Sequence, residues 1–256
     1  SYFFKNHPYG QQSILGSVEH LKNPSLTKMK EYYNTYYVPN NMALIITGDI
    51  DLEKTIDMIK EKFGGWKAGE LPASINATEV AFNGRELINK DMTPIKVGIM
   101  GFRGVASGHK DEIPLELAIE LLTNQSKTGI IDHLQVNGAL QHVGIWNANY
   151  VDYGGVNFFF MPLQGAQTLD DAESLVKQQI EKLKSGDFDD AFLNAVKVTM
   201  TRQHEENIEN MEGRLFNLID TYIKDSSWGN IIGWPEKLEG ITKKDIIEIA
   251  NKYFGD

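Results

Sequence analysis

The stretch "LTKMKEYYNTYYVPNNMALIITGD" (residues 26–49) returns in part at the end of the chain as "ITKKDIIEIANKYFGD" (241–256), with Thr27 matching Thr242, Lys28 matching Lys243 and Tyr37 matching Tyr253. One echo over so long a separation points to a duplicated domain, since a solenoid would need several short repeats. In the first copy Leu26, Met29, Tyr33 and Tyr36 fall at helical spacing, and Pro39 stops the pattern just after Val38. The apolar, β-branched run in "NMALIITGD" then reads as a buried strand. The second copy stops at Asp256, where that strand is due, so the last strand of the second domain is expected to be missing. Far fewer residues precede the first copy than the second, so the first domain is expected to be present only as its C-terminal part.

Between the copies, Asp49 or Asp51 can cap a helix whose Leu52, Ile56, Ile59 and Phe63 form one apolar stripe, ended by Gly64 and Gly65. Residues 67–78, "KAGELPASINAT", show neither helical nor strand periodicity and read as a linker. This divides the chain into a first-domain part at 1–66, the linker at 67–78 and a second domain at 79–256. Within the second domain, "GRELINKD" and "IKVGIMGFRG" are expected to be strands, and "EIPLELAIELLT" and "GIIDHLQV" helices. "HVGIWNANYVDYGGVNFFFMP" is expected to be a hairpin turning at Asp152, Gly154 and Gly155. Two more helices follow, one with Ala172, Leu175, Val176, Ile180 and Leu183 on a single face and one within the nearly Gly-free 187–223. Strands and helices in blocks give an α+β fold class.

A net charge of −10 removes the attraction to polyanions that supplies non-specific nucleic-acid affinity, so neither nucleic acid nor an anionic membrane is an expected partner. No apolar run approaches the roughly 20 residues that span a bilayer, so no membrane insertion is expected. With no cysteine, disulfides, thiolate zinc sites and cysteine nucleophiles are excluded, and any metal would need His and carboxylate ligands. The six histidines stand at 7, 20, 109, 133, 142 and 204, and none forms the H-x-x-E-H or H-E-x-x-H pair that a helix face needs to hold zinc. "HEENIEN" starts well at His204 and Glu205, but its i+4 position is Ile208, and the stretch reads as a solvated acidic face. "VASGH" lacks the setting of a nucleophile elbow, "GIMGFRG" lacks the order of a dinucleotide loop, and Gly186 followed by Asp187 reads as a helix cap. His7 precedes Pro8 in "HPYG", where Pro8 fixes φ and Gly10 permits φ > 0, so it reads as a turn residue.

Taken together, "HPYGQQSILGSVEHLKNPSLTKMKEYYNTYYVPNNMALIITGDIDLEKTIDMIKEKFGGW" resembles the second half of the first domain in the pitrilysin, insulinase and mitochondrial-processing-peptidase family of zinc peptidases. "KSGDFDDAFLNAV" and "ITKKDIIEIANKYF" resemble that family's second domain, so the likeness covers nearly the whole chain. It implies duplicated α/β domains pairing into halves that close like a clam shell around an unfolded peptide. The other half would lie in the same chain or in a partner subunit. It also implies zinc in the parent protein, held by an H-x-x-E-H motif and a distant Glu, all upstream of "HPYG". No catalytic residue and no metal ligand are therefore carried onto this sequence, and zinc is not expected in it. The family also holds substrate backbone with an Arg and a Tyr seven positions apart, in a pattern like L-R-x-x-x-x-L-x-Y. Here "HLQVNGALQHVG" sets Gln135 at the Arg position and His142 at the Tyr position. Gln lacks the cationic fork and neutral His replaces a phenol only in part, so the pair is degenerate. The resemblance implies a non-catalytic portion of the zinc-bearing half of a metalloendopeptidase that degrades or processes peptides in an enclosed chamber. The degenerate pair also fits a non-catalytic structural or peptide-binding subunit. The family's habits imply a bacterial periplasm or cell envelope.

Overall fold

The computed structural model describes residues 2–11, 14–74, 77–91 and 94–255. The chain divides into two compact units, residues 1–85 and 86–256.

The first unit holds helices α1 (Pro8–Gln11), α2 (Val18–Lys22), α3 (Leu26–Tyr36) and α4 (Leu52–Phe63). Ser17, Ser25 and Asp51 cap α2, α3 and α4, each accepting from the backbone N–H three residues on, so the α4 cap falls to Asp51 and not Asp49. Residues 42–50 form no strand here, contrary to the strand expected from "NMALIITGD". A strand exists only through a ladder, and this segment is part of no strand ladder among the described residues. The apolar stripes of α3 and α4 are correspondingly bare, with Leu26, Met29, Tyr33, Leu52, Ile56 and Phe63 all exposed. Beside the buried Phe4 and Val38, polar ties order the unit. Asn40 and Gly69 exchange two hydrogen bonds, Nδ2 to O at 3.0 Å and N to Oδ1 at 2.9 Å. The Glu79 carboxylate accepts from the consecutive amides of Lys5, Asn6 and His7 at 2.9–3.0 Å.

The second unit runs β1 (Gly98–Gly104), α5 (Glu112–Leu122), α6 (Asp132–Val136), β2 (His142–Asn149), β3 (Gly154–Met161), α7 (Leu169–Ser185), α8 (Asp190–Glu209), α9 (Met211–Ile223), α10 (Trp228–Ile232), α11 (Trp234–Glu239) and α12 (Lys243–Tyr253). The expected hairpin is β2–β3, but its turn lies at residues 150–153, where the Tyr150 amide donates to the Tyr153 carbonyl, and Gly154 and Gly155 already belong to β3; "GRELINKD" carries no strand. The sheet is antiparallel in the order β1-β3-β2, with Met100 opposite Phe158 and Val143 opposite Phe160. Strand period 2 sends Val156, Phe158 and Phe160 to one face. There they meet α5, α7 and α12, whose Leu115, Leu117, Leu121, Val176, Ile180, Leu183, Ile246 and Ile249 complete the core. Phe102, Phe158 and Phe254 pack edge to face at 5.5–5.6 Å between centroids. This is the α+β architecture of one helical layer on an antiparallel sheet.

Local chemistry explains the element ends. Capping boxes at Thr168/Asp171 and Thr242/Asp245 open α7 and α12, and Gly186 closes α7 at φ 75°. The cap of α8 is Asp189, two residues beyond the expected Asp187. The nearly Gly-free 187–223 is two helices, because Asn210 leaves helical geometry and its Oδ1 caps α9 at the amides of Glu212 and Gly213. α3 and α12 are both 11 residues long with a hydroxyl cap, which aligns Ser25 with Thr242 and Tyr36 with Tyr253. The echo thus lies one or two residues off the register read from identities alone. Among the described residues no helix is long and apolar enough to cross a membrane.

Candidate functional site

The helices cover one face of the sheet, and the other is left uncovered by them. Alternation assigns it Ile99, Gly101 and Arg103 from β1, Gly155, Asn157, Phe159 and Met161 from β3, and His142, Gly144, Trp146 and Ala148 from β2. Ile99 is 62% exposed and Trp146 44%. A side chain placed on Gly144 would meet nothing within 4 Å, so the floor beside Phe159 is open. The opposite face behaves differently: a Cβ on Gly98 would sit 2.1 Å from the Phe160 ring. None of the strand residues on the open face is a carboxylate. It can pack apolar side chains of an extended segment, but it presents no nucleophile with a base.

His142 begins β2 at the rim of this face, exposed, its ring edge-on to Phe159 at 5.6 Å. Gln135 is the penultimate residue of α6, which packs against β2, and its Oε1 is buried without a hydrogen-bond partner. The two expected substrate-contacting positions therefore sit on adjacent elements. The amides of Ala139 and Leu140 both donate to the Leu134 carbonyl and fold the intervening turn back on α6.

Three of the other histidines serve local tasks. His7 is buried, and its Nδ1 accepts from the Tyr9 amide at 3.3 Å within the "HPYG" turn. His109 Nδ1 accepts from the Asp111 amide at 3.1 Å. His204 stacks on Trp234 at 4.7 Å between centroids, and its Nε2 donates to the Ile231 carbonyl at 2.8 Å. Among the described residues no group of three His, Cys, Asp or Glu side chains is placed to hold a metal. The described residues do not supply the ligand set of a zinc centre.

Three carboxylates were not singled out by the sequence. Burial works to raise Glu79, but the amides of His7, Lys5 and Asn6 outweigh it and bring its pKa to about 2. Burial likewise opposes the ionisation of Asp111, yet hydrogen bonds from Lys252 Nζ and Tyr253 Oη, both 2.6 Å, hold it below the usual carboxylate range. Glu116 goes the other way: burial, then the charge of Glu112, lifts it to about 7 against the opposing pull of Lys224 and Trp234. Its signal was the row Glu112, Glu116, Glu120, four residues apart in an apolar helix.

Residues 24–200 match the family profile described as the Peptidase M16 inactive domain. The zinc protease PqqE of Helicobacter pylori is 22% identical over 257 residues, which cover 98% of this chain and 57% of that protein. A crystal structure of a protease from Helicobacter pylori superposes with a TM-score of 0.88 at 20% identity, over 99% of this chain and 62% of that one. The first half of the periplasmic protease PqqL from Escherichia coli gives 0.75 at 16% identity, over 98% and 57%. The chain thus spans about three fifths of the length of these relatives.

Proposed function

The chain belongs to the M16 peptidase family, matched through that family's inactive domain, and from that premise we propose that it is a non-catalytic portion of the zinc-bearing half of a zinc-dependent metalloendopeptidase. The open sheet face carries this reading. It is a surface without nucleophile or metal set, shaped to lie along an extended peptide and suited to wall a chamber in which chemistry occurs elsewhere. The sequence likeness of the first unit to the end of a zinc-bearing domain supports the same reading. So do the bare stripes of α3 and α4, which have the pattern of faces that pack against a sheet. Zinc belongs to the proposal for the parent protein, as do a peptide substrate, a second half of the clam shell and a site of action in the periplasm or cell envelope.

The test is hydrolysis of a quenched fluorescent peptide by the parent and by this chain, each with and without chelator. Chelator-sensitive cleavage by the parent alone is expected. A parent that holds no zinc and does not cleave would favour instead a structural or peptide-binding subunit, the reading motivated by Gln135 and His142. Direct cleavage by this chain would overturn both.

A further inference from the structure

The chain holds two Asn-Gly pairs, Asn83–Gly84 and Asn137–Gly138. Such a pair is chemically special because glycine has no Cβ, so its backbone nitrogen can swing unhindered onto the preceding carboxamide. In both pairs the residues are exposed, the glycine takes positive φ, 75° at Gly84 and 69° at Gly138, and a Cβ built on it would meet nothing within 4 Å. They differ in what holds the attacking amide. Gly138 N–H donates to the Gln135 carbonyl at 3.1 Å and Asn137 N–H to the His133 carbonyl at 2.9 Å, so this pair is tied into the end of α6. Gly84 lies outside any helix or strand, and among the described residues neither its N–H nor the Asn83 carboxamide has a hydrogen bond. The ring of Phe82, just before the pair, packs edge-on to Phe3 at 5.6 Å, so the chain is anchored on one side of an otherwise unheld amide.

We propose that Asn83–Gly84 is a self-modification site, where the chain converts its own carboxamide into a carboxylate, while the hydrogen bonds at the end of α6 protect Asn137–Gly138. The Gly84 amide gives its proton to hydroxide, and its nitrogen attacks Asn83 Cγ. The new N–Cγ bond closes a cyclic imide as the Cγ–Nδ2 bond breaks, and Nδ2 leaves as ammonia after taking a proton from water. Water then opens the imide. Addition at Cγ leaves an ordinary aspartate, whereas addition at the backbone carbonyl carbon leaves a free α-carboxylate and a main chain that runs through the side chain, an isoaspartyl linkage. Either product adds one negative charge, and the second also lengthens the main chain just before the first unit ends at residue 85. Attack by Gly138 must first break its bond to Gln135, and the loss of that hydrogen bond slows the reaction roughly tenfold.

Timed incubation of the intact 256-residue chain in mildly alkaline buffer tests this, with samples digested in acid and mapped by mass spectrometry that separates Asn, Asp and isoAsp at each position. In the folded chain Asn83 should convert roughly tenfold faster than Asn137, with isoAsp among its products. In the chain unfolded by urea the two rates should converge, because the bonds at the end of α6 are then gone. N83Q, whose longer side chain disfavours the ring closure, should fold as the wild type does and leave residue 83 unmodified while Asn137 keeps its slow rate. The proposal fails if Asn83 stays intact, or if Asn137 converts as fast as Asn83 in the folded chain. It also fails if the rate ratio survives unfolding, which would assign the difference to the flanking residues Phe82 and Val136 and not to the hydrogen bond.

Discussion

Asp132 is the residue whose removal should cost the second unit most for the fewest atoms lost. Its carboxylate is fully buried and accepts from Thr123 Oγ1 at 2.9 Å, the Asn124 amide at 3.1 Å, Lys127 Nζ at 3.2 Å and the Gly129 amide at 3.1 Å. One side chain thereby closes the whole loop between α5 and α6. In D132A the Thr123 hydroxyl can rotate and the half-exposed Lys127 can turn to water, but the two backbone N–H groups are fixed in place. A stranded buried donor costs about 1–3 kcal/mol, so the variant should lose about 4 kcal/mol. D132N keeps the volume and one acceptor oxygen and should lose about 2 kcal/mol. At about 2–4 °C per kcal/mol for a unit of this size, the melting point of D132A should fall by about 10 °C. Urea unfolding followed by circular dichroism supplies the free energies, and the m-value checks that the native state is unchanged. A D132A loss under about 1 kcal/mol, or equal losses in the two variants, would refute the reasoning that backbone donors carry the cost.

G154A would place a methyl 2.1 Å from the Val105 carbonyl oxygen, so it should destabilise by about 3 kcal/mol in the same urea assay; a neutral result would show that the hairpin end can shift. Y253F deletes the hydroxyl that donates to Asp111 and should cost about 1 kcal/mol. K252M should cost less than about 1 kcal/mol, since that ammonium is half exposed; the reverse order in chemical denaturation would contradict the geometry. Glu79, depressed to about 2, stabilises its turn fully above 4.5 and progressively loses that effect as pH falls toward 2. Exchange at the amides of residues 5–7, corrected for intrinsic rate, should therefore accelerate in acid and be fast at every pH in E79A. Equal protection in E79A would assign the turn to His7 and Tyr9 alone.

Helices were legible in the sequence where apolar residues kept helical spacing, as in α3, α4 and α7, because that signal is local. The hairpin was legible because "GGVNFFFM" follows a turn and lies beside "HVGIWNAN". Residues 42–50 and "GRELINKD" failed as strands because a strand is a property of a pair, and apolar β-branched composition cannot name the partner. The break at Asn210 was hidden because Asn in a helical run resembles any polar surface position until its side chain is seen to cap the next helix. Carboxylates such as Glu79 and Asp132 were illegible for a related reason. Their role depends on amides brought to them by distant or looping backbone, 72–74 residues away for Glu79. The open sheet face could be read in outline, since the alternate residues of β3 follow from its period, but its depth beside Gly144 needed the coordinates.

The central claim, that this chain frames a zinc peptidase without performing its chemistry, is tested most directly by metal content. The purified 256-residue chain would be equilibrated with zinc, desalted and measured by elemental mass spectrometry beside the parent protein. Far less than one zinc per chain here, against about one in the parent, is the predicted result. Stoichiometric zinc in this chain, accompanied by chelator-sensitive peptide cleavage, would contradict it.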